Sequence, residues 1–438
     1  MGVSDLPDEM QAIQVVEYNK PYEIRTVPVP KNLGPYDLLL KTAIGSYCHT
    51  DSMVQSGVFG TSLPCTASHE GAGTVVAVGS SVNDFKEGDR VMAGLLRNAC
   101  GKCGDCLGPE NYRQYCRNSD GYIGVTTQGT FAEYVLVDAR WAAKLPERVS
   151  FGTAAPLACA GCTVFRGVIL PELKAGEWIA LVGSGGGLGH LGIQFAKALG
   201  LMVVGVDARD EGLALSKEAG ADVVVDARKG KDEVVKEVHK VTNGEGVHAA
   251  VNLSEAKDAA ATACAITKMH GTMVQIAQPT EVCIPFAEYI FRDIRVRGSL
   301  ICSREEAKRM LDIVAEHRIS VKTNPFNGLK EITKLTDLVH GGKMAGKGII
   351  IVDPEQIEKE KQSGLEMHVL SMLCKALFSA EVTDKPYTLF TLIHIFEYVQ
   401  WYDAIVHCQR FSDQLSIPKE DILNGGFQDS GPGHPSPD

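Results

Sequence analysis

At 438 residues, 45% hydrophobic and 22% charged, the chain has the make-up of a soluble globular protein of two or three domains, which excludes wholesale disorder and a multi-span membrane protein. Its 43 Lys and Arg against 54 Asp and Glu leave a net charge of −11 without any basic run, so nucleic acid and anionic membranes are excluded as main partners. The N-terminal MGVSDLPDEMQAIQVVEYNK has no basic stretch leading into an apolar run, and Leu6 stands where a myristoylation motif has Ser or Thr. The expected location is cytoplasmic, and the 13 cysteines are expected to be thiols, metal ligands or core residues rather than a disulfide framework.

Residues 1 to 155 carry short strand-like runs between turns: DLLLKTAIG from Asp37 to Gly45, EGAGTVVAVGS from Glu70 to Ser80, and FAEYVLVD from Phe131 to Asp138. Turn residues at Asn32 to Pro35 and at Gly88-Asp89 separate them. This portion reads as an irregular β-rich domain.

From Trp178 the rhythm changes. Strand runs at Trp178 to Gly183, Met202 to Asp207, Asp222 to Asp226, Val247 to Asn252 and Thr272 to Ala277 alternate with helical stretches reaching Gly200, Gly220, Lys240 and Lys268. Such alternation predicts βαβ units and a parallel sheet. IRVRGS, Ile294 to Ser299, is a further candidate strand, Ser303 with Glu306 forms a capping box, and a strand returns at GIIIVD, Gly348 to Asp353. PEQIEKEKQSG, Pro354 to Gly364, reads as a charged linker or short helix. The apolar run Thr388 to Tyr402 contains Glu397 and is too short to span a bilayer, so it reads as a packed helix; the terminal SGPGHPSPD reads as disordered.

Three groups of residues carry chemistry. Cys100, Cys103, Cys106 and Cys116 are spaced C-x2-C-x2-C-x9-C. Four thiolates so close in sequence can surround one tetrahedral zinc; because all positions would be filled, that zinc would be structural. The alternative is loose thiols or a disulfide pair. Second, Cys48 in YCHTD, His69 in SHEGAG and Cys159 in APLACAG supply the one-His, two-Cys combination of a catalytic zinc with a free fourth position, although each alone is weak and a buried Cys is often a small core residue. Asp51 and Glu70 stand beside these ligands and could orient them, Glu70 being counted with the metal-binding set; the alternative for both is solvated surface charge. An open zinc can hold an alcohol or polarise a carbonyl oxygen.

The third group is VGSGGGLGHLG, which follows a strand and opens a helix: Gly183, Gly185, Gly186, Gly187, Leu188 and Gly189. Strict G-x-G-x-x-G fails because Leu188 takes the sixth position. A Gly-rich turn still lets backbone N–H groups approach a pyrophosphate, against the alternative of plain helix packing. Asp207 ends the next strand, where a carboxylate can take the adenosine ribose hydroxyls and repel a 2′-phosphate; Arg209 lies close enough to soften that preference for NAD.

These motifs together with GDRV resemble the zinc-dependent medium-chain alcohol dehydrogenases, of the tetrameric fungal type, over Met10 to Asp353. The resemblance implies an α/β protein: a GroES-like catalytic domain in 1–155 completed by 300–353, and a doubly wound Rossmann domain in 156–299. The 354–438 extension has no counterpart. It further implies that Cys48, His69 and Cys159 bind catalytic zinc, that Thr50 accepts the substrate proton, and that His49 and Lys347 touch the cofactor pyrophosphate. Three features depart from the family pattern. Cys116 comes two residues later than usual. Met53 stands where relatives place a His that passes the proton to solvent, a role His270 or His317 could fill by folding. Phe59 and Leu95 stand where yeast-like relatives have Trp, leaving a roomier pocket. The expected function is a zinc- and NAD-dependent dehydrogenase interconverting a primary or benzylic alcohol and its aldehyde, acting as a homo-oligomer, a tetramer rather than a dimer. The alternatives are a reductase of a larger ketone or enone, or a zinc- and NAD-binding scaffold without turnover.

Overall fold

The computed structural model describes residues 5–342 and 344–365. The runs at 388–402 and 430–438 lie outside them. In the β-rich part the ten-residue strand Asp37–Ser46 is covered on both faces, which is why it reads as a continuous apolar run rather than an alternation. It pairs antiparallel with Glu70–Val78, with Tyr134–Asp138 and with the late strand Lys347–Ile351, so the chain returns after the second sheet to close the first. A smaller sheet joins Glu23–Pro28, Glu9–Val15 and Cys65–Thr66. The run expected as one strand from Phe131 serves two sheets. Ile13 N–H donates to the Phe131 carbonyl and Ala132 bridges Ala12, and only from Tyr134 does the chain join Asp37–Ser46.

The second sheet is wholly parallel. Its strands run in the spatial order Val223–Asp226, Met202–Asp207, Trp178–Val182, Val247–Asn252, Thr267–Gln275, Arg295–Gly298. Numbered along the chain this is 3-2-1-4-5-6, the doubly wound Rossmann order, whose ligand crevice lies at the carboxyl ends where the order reverses. One helix is shorter than expected: Ala259–Ile266 stops before Thr267, whose hydroxyl donates to the Ala263 carbonyl, and the strand begins at once instead of at Thr272. A β-branched residue that satisfies the last turn's carbonyl and then turns extended ends the helix early.

Between the sheets runs a helical stretch that the sequence reading missed. Ser150 caps it, accepting from Thr153 N–H, and it continues from Phe151 to Ile169 through a π-helical turn at Leu157–Gly161. Among the described residues it is the one helix long and apolar enough to cross a membrane, and 78% of that window is buried inside the protein, where its apolar character serves the core. The charged run after Asp353 is a helix, Pro354–Gln362, packed on the β-rich part. Gln356, Ile357 and Glu360 form its buried face.

Candidate active site and zinc lobe

Cys48 ends the long strand's loop and caps the helix His49–Gln55; its N–H donates to Asp51 Oδ2 at 2.8 Å. His69 precedes Glu70–Val78, in a turn where Ser68 has φ 68°, and Ser68 N–H donates to Asp51 Oδ1 at 3.1 Å. Asp51 thus holds the two loops together, and its Oδ1 faces His69 Nδ1 at 3.5 Å. Cys159 comes from the π turn. A π turn inserts one residue into the helix and swings a side chain off the regular register, a common device at functional sites.

The structure brings Cys48, His69, Glu70 and Cys159 together, their candidate ligand atoms all within 4.8 Å of one another. Asp51 and Glu70 are 1% and 0% exposed, so neither is the solvated surface charge that the sequence left open. A bound zinc fits these residues. Both His69 ring nitrogens are buried without a hydrogen-bond partner, and with Nδ1 turned to Asp51 it is Nε2 that is left for a ligand bond. The proximity of Cys159, then the nearby Lys347 ammonium, holds the Cys48 thiol well below its usual range, while the same Cys48 drives Cys159 up. Two buried thiolates at this spacing cannot both carry charge without a cation between them.

Glu70 does not point at the ligands alone. Oε1 accepts from Ala160 N–H at 3.1 Å, which ties the π turn to the His69 strand, and Oε2 pairs with Lys347 Nζ at 2.7 Å. Burial pushes the Glu70 carboxyl up, to about 7, against the pull of Lys347. Lys347 is itself 4% exposed, and its stem lies against Gly187, where an added Cβ would come within 2.9 Å of it. Its ammonium pairs with Glu70 and its stem lies beside the cofactor turn. Thr50 Oγ1 lies 3.9 Å from Cys48 Sγ. His49 is largely exposed and faces Glu255 at 3.4 Å. His270 pairs with Asp293 at the Rossmann sheet's edge and His317 ends the helix Arg304–His317. The imidazole brought against the helix of Met53 is His340, whose Nε2 lies 3.5 Å from Ser52 Oγ.

The Gly-rich turn links Trp178–Val182 to the helix Gly189–Ala198. Gly183 has φ 90°, and Gly185 packs so tightly on Gly212 that an added Cβ would sit 2.1 Å from it. Asp207 Oδ2 accepts from Gly185 N–H at 2.9 Å, and Oδ1 from Ala208 and Arg209 N–H at 2.9 and 3.1 Å. Asp207, Ala208 and Arg209 line a cleft of about 410 Å³ with Gly183, Gly186 and Lys231. His190, which sequence reasoning missed, braces the turn: Nδ1 donates to the Gly186 carbonyl at 3.0 Å and Nε2 accepts from Lys322 N–H at 3.3 Å. Burial lowers its pKa to about 4, so it stays neutral in that role.

In the cysteine lobe the Sγ separations are 4.0 Å for Cys100–Cys106, 3.8 Å for Cys103–Cys116 and 3.7 Å for Cys116–Cys100. A tetrahedron with Zn–S bonds of about 2.3 Å has edges of about 3.8 Å, whereas a disulfide needs about 2.05 Å. All four are free thiols, and Cys116 closes the set despite its later position. The separations are too long for a disulfide and fit a closed four-sulfur metal set.

Comparison with known proteins agrees with this geometry. Residues 34–147 match the alcohol dehydrogenase GroES-like domain and residues 187–316 the zinc-binding dehydrogenase domain. An alcohol dehydrogenase of Rhizobium meliloti is 35% identical over 344 residues, covering 78% of this chain and 98% of that enzyme. The chain belongs to the zinc-dependent medium-chain alcohol dehydrogenase family. Alcohol dehydrogenase 1 of Emericella nidulans is 34% identical, covering 78% of this chain and 97% of that enzyme. The crystal structure of the alcohol dehydrogenase from Aeropyrum pernix superposes with a TM-score of 0.71 at 28% identity, over 78% of this chain and 99% of that one. A zinc-binding dehydrogenase from Sinorhizobium meliloti bound to NADP gives 0.69 at 28%, over 79% and 100%. The protein is an alcohol dehydrogenase acting on small-molecule alcohols or aldehydes.

Proposed function

We propose that this enzyme interconverts a primary or benzylic alcohol and its aldehyde with NAD, using one zinc at Cys48, His69 and Cys159 and a structural zinc in the cysteine lobe. The observation that carries this reading is the buried convergence of those three side chains with Thr50 beside them. Zinc bound there supplies a Lewis acid that lowers the proton affinity of an alcohol oxygen, and a nicotinamide supplies the hydride acceptor. The chain's own residues do the rest. Thr50 takes the proton and passes it toward the cofactor ribose. Asp51 fixes the His69 tautomer, and Glu70 anchors the Cys159 turn. Absorbance at 340 nm with NAD and short aliphatic, long aliphatic and benzylic alcohols tests the reading. No turnover of any alcohol would sink it, and a large ketone or enone as best substrate would favour the reductase. A scaffold without turnover is disfavoured because Cys48, Thr50, His69 and Cys159 are all present and assembled. Phe59 and Leu95 in place of Trp favour the bulkier alcohols.

The cofactor preference is assigned to Asp207, whose carboxylate would repel a 2′-phosphate. NAD is expected to exceed NADP in kcat/KM by at least tenfold, about 1.4 kcal/mol. Arg209 and Lys231 in the same cleft keep that gap finite, and one relative binds NADP. Asp207→Gly should narrow it by raising NADP turnover and lowering NAD turnover; equal kcat/KM for the two cofactors in the unmodified enzyme would refute the assignment.

With Met53 at the relay position, no imidazole near pH 6.5 receives the proton there, and alcohol oxidation should be slow near neutrality and rise toward alkaline pH. Met53→His should raise oxidation at pH 7 by about tenfold or somewhat more, below the usual ~10²–10⁴-fold of general base catalysis because water already substitutes. A pH–rate profile whose alkaline limb is the same in both proteins would show that the proton leaves elsewhere, His340 beside Ser52 being the alternative acceptor.

The enzyme is read as a cytoplasmic homo-oligomer, a tetramer rather than a dimer. Phe286, Ile290 and Phe291 are about 70% exposed just before the edge strand Arg295–Gly298, an apolar surface and an open ladder that a second copy of the chain would cover. Sedimentation showing a monomer at micromolar concentration would refute this.

A further inference from the structure

We propose that Glu360, on the helix Pro354–Gln362 that follows the last strand of the β-rich part, is a positioning residue for the metal ligand Cys159. The Rhizobium enzyme is matched over 98% of its length by 78% of this chain, so about a fifth of this chain has no counterpart in it. The family-model matches lie within 34–316, and the helix Pro354–Gln362 comes after them.

Its sequence, PEQIEKEKQ, is that of a solvated helix, yet one face is buried and specifically tied. Asp353 caps it, accepting from Glu355 N–H at 3.0 Å. Gln356 Oε1 accepts from Thr74 Oγ1 at 2.6 Å, and its Nε2 donates to the Lys41 carbonyl at 3.2 Å. Asp353 also pairs with Lys41 at 2.7 Å. One turn on, Glu360 is 5% exposed, and both its oxygens accept from the N–H of Phe151 at 3.0 Å. Arg90 binds the same carboxylate, donates to the Val149 carbonyl at 2.5 Å, and holds its guanidinium 4.9 Å over the Phe151 ring.

Phe151 is the first residue of the helical stretch that carries Cys159. The opening N–H groups of a helix have no partner within it, and the positive end of its dipole favours an anion. Ser150 satisfies the Thr153 N–H and Glu360 the Phe151 N–H. A buried carboxylate is costly unless paired and hydrogen-bonded, and here Arg90 and the helix end supply both. Glu360 therefore pins one end of the stretch, and Glu70, accepting from Ala160 N–H, pins it beside the metal ligand. The π turn between these two anchors is the least regular part of the stretch and the part that aims Cys159. Released at Phe151, the stretch can slide or rotate, and Cys159 Sγ moves relative to Cys48 and His69.

The inference rests on the catalytic zinc reading, and the experiment separates the two. Cobalt(II) is exchanged into the full-length enzyme; absence of thiolate-to-cobalt absorption from the catalytic position in the unmodified protein would overturn the zinc reading itself. With that absorption present, Glu360→Ala is expected to shift it, to speed loss of the catalytic zinc to a chelator while the lobe zinc stays, and to lower kcat by about tenfold with KM for NAD changed less than about twofold, because small misplacements of reacting groups cost rate rather than cofactor binding. Glu360→Gln keeps an oxygen for the Phe151 N–H and should restore most of the spectrum and of kcat. Thr74→Val loosens the same helix more gently and should produce a smaller shift of the same band, which keeps the test open if Glu360→Ala does not fold. A folded Glu360→Ala enzyme with an unchanged cobalt spectrum and unchanged zinc release overturns the proposal, as does equal impairment of the Ala and Gln variants through melting temperature alone.

Discussion

Cys159→Ser and His69→Ala should each lower alcohol turnover by at least about 10³-fold, because loss of the metal's charge stabilisation removes several kcal/mol from the barrier and each 1.36 kcal/mol is tenfold. Neither replacement is expected to unfold the enzyme. His69 gives the fold only its 3.5 Å pairing of Nδ1 with Asp51, which is held by other bonds as well, and Cys159 lies in a turn held independently by Ala160 N–H on Glu70. The cofactor turn belongs to a different sheet and is braced by Asp207 and His190, neither of which touches the ligands. NADH fluorescence titration should therefore give affinities within about threefold of the parent, under 1 kcal/mol. Metal analysis should fall from two zinc ions per subunit to one. A variant that loses cofactor binding along with turnover would show that the two sites are not separable. A variant that keeps both zinc ions and most of its activity would remove Cys159 or His69 from the metal set. The linkage to watch is Lys347, which lies against Gly187 and pairs with Glu70. It touches both constellations, and a few-fold change in cofactor affinity would travel through it.

What could be read from the chain beforehand follows the range of the interactions concerned. The parallel sheet was legible because each of its strands is a local apolar run followed by a local helix, and its order then follows from the usual right-handed crossovers. The cysteine lobe was legible because its ligands fall within a short span of residues. The catalytic set was different. Cys48, His69 and Cys159 are far apart in sequence and each has a bland reading, so only their motifs and the family likeness joined them. Buried ion pairs were not legible at all. Glu70–Lys347 and Arg90–Glu360 are made of residue types that ordinarily face water, and nothing local marks a charge whose partner is hundreds of residues away. The charged run after Asp353 reads as either a linker or a short helix for that reason, and the structure makes it a helix. The π turn left no mark either, since LACAG is compatible with any helix and the extra residue is imposed by what the turn packs against.

The lobe's cysteines should give the other large effect, on stability rather than chemistry. Cys116→Ser, or Cys103→Ser, removes a thiolate from a closed four-sulfur set, and in small zinc modules metal binding carries about 10–16 kcal/mol of folding free energy. The lobe has little else to hold it. Its core is Leu96, Cys106, Cys116 and Trp141, and its regular structure is one short helix, Gly104–Leu107, a 3₁₀ stretch, Glu110–Tyr115, and a two-residue ladder of Leu96–Arg97 with Gly121–Tyr122. The backbone N–H of Lys102 lowers the Cys100 thiol, which readies it for a metal, while burial raises Cys106. Loss of the metal should also be felt outside the lobe. Glu110 takes the Ser303 hydroxyl and the Glu305 N–H at the start of the helix Arg304–His317, Gln114 donates to the Ile301 carbonyl, and Arg166 bridges Asn111 and Glu306. Arg166 sits on the stretch that carries Cys159. The expected result is a low-temperature unfolding step in calorimetry that the parent lacks, early proteolytic cleavage between Arg97 and Tyr122, and one zinc per subunit on analysis. Activity measured before that step should fall by about tenfold or less, since the ligands of the catalytic zinc are intact and only their support is loosened. If Cys116→Ser keeps two zinc ions and the parent's melting profile, the fourth ligand is not Cys116. If the lobe variant is fully folded yet inactive, the lobe acts on chemistry directly and the division between a structural and a catalytic metal is wrong.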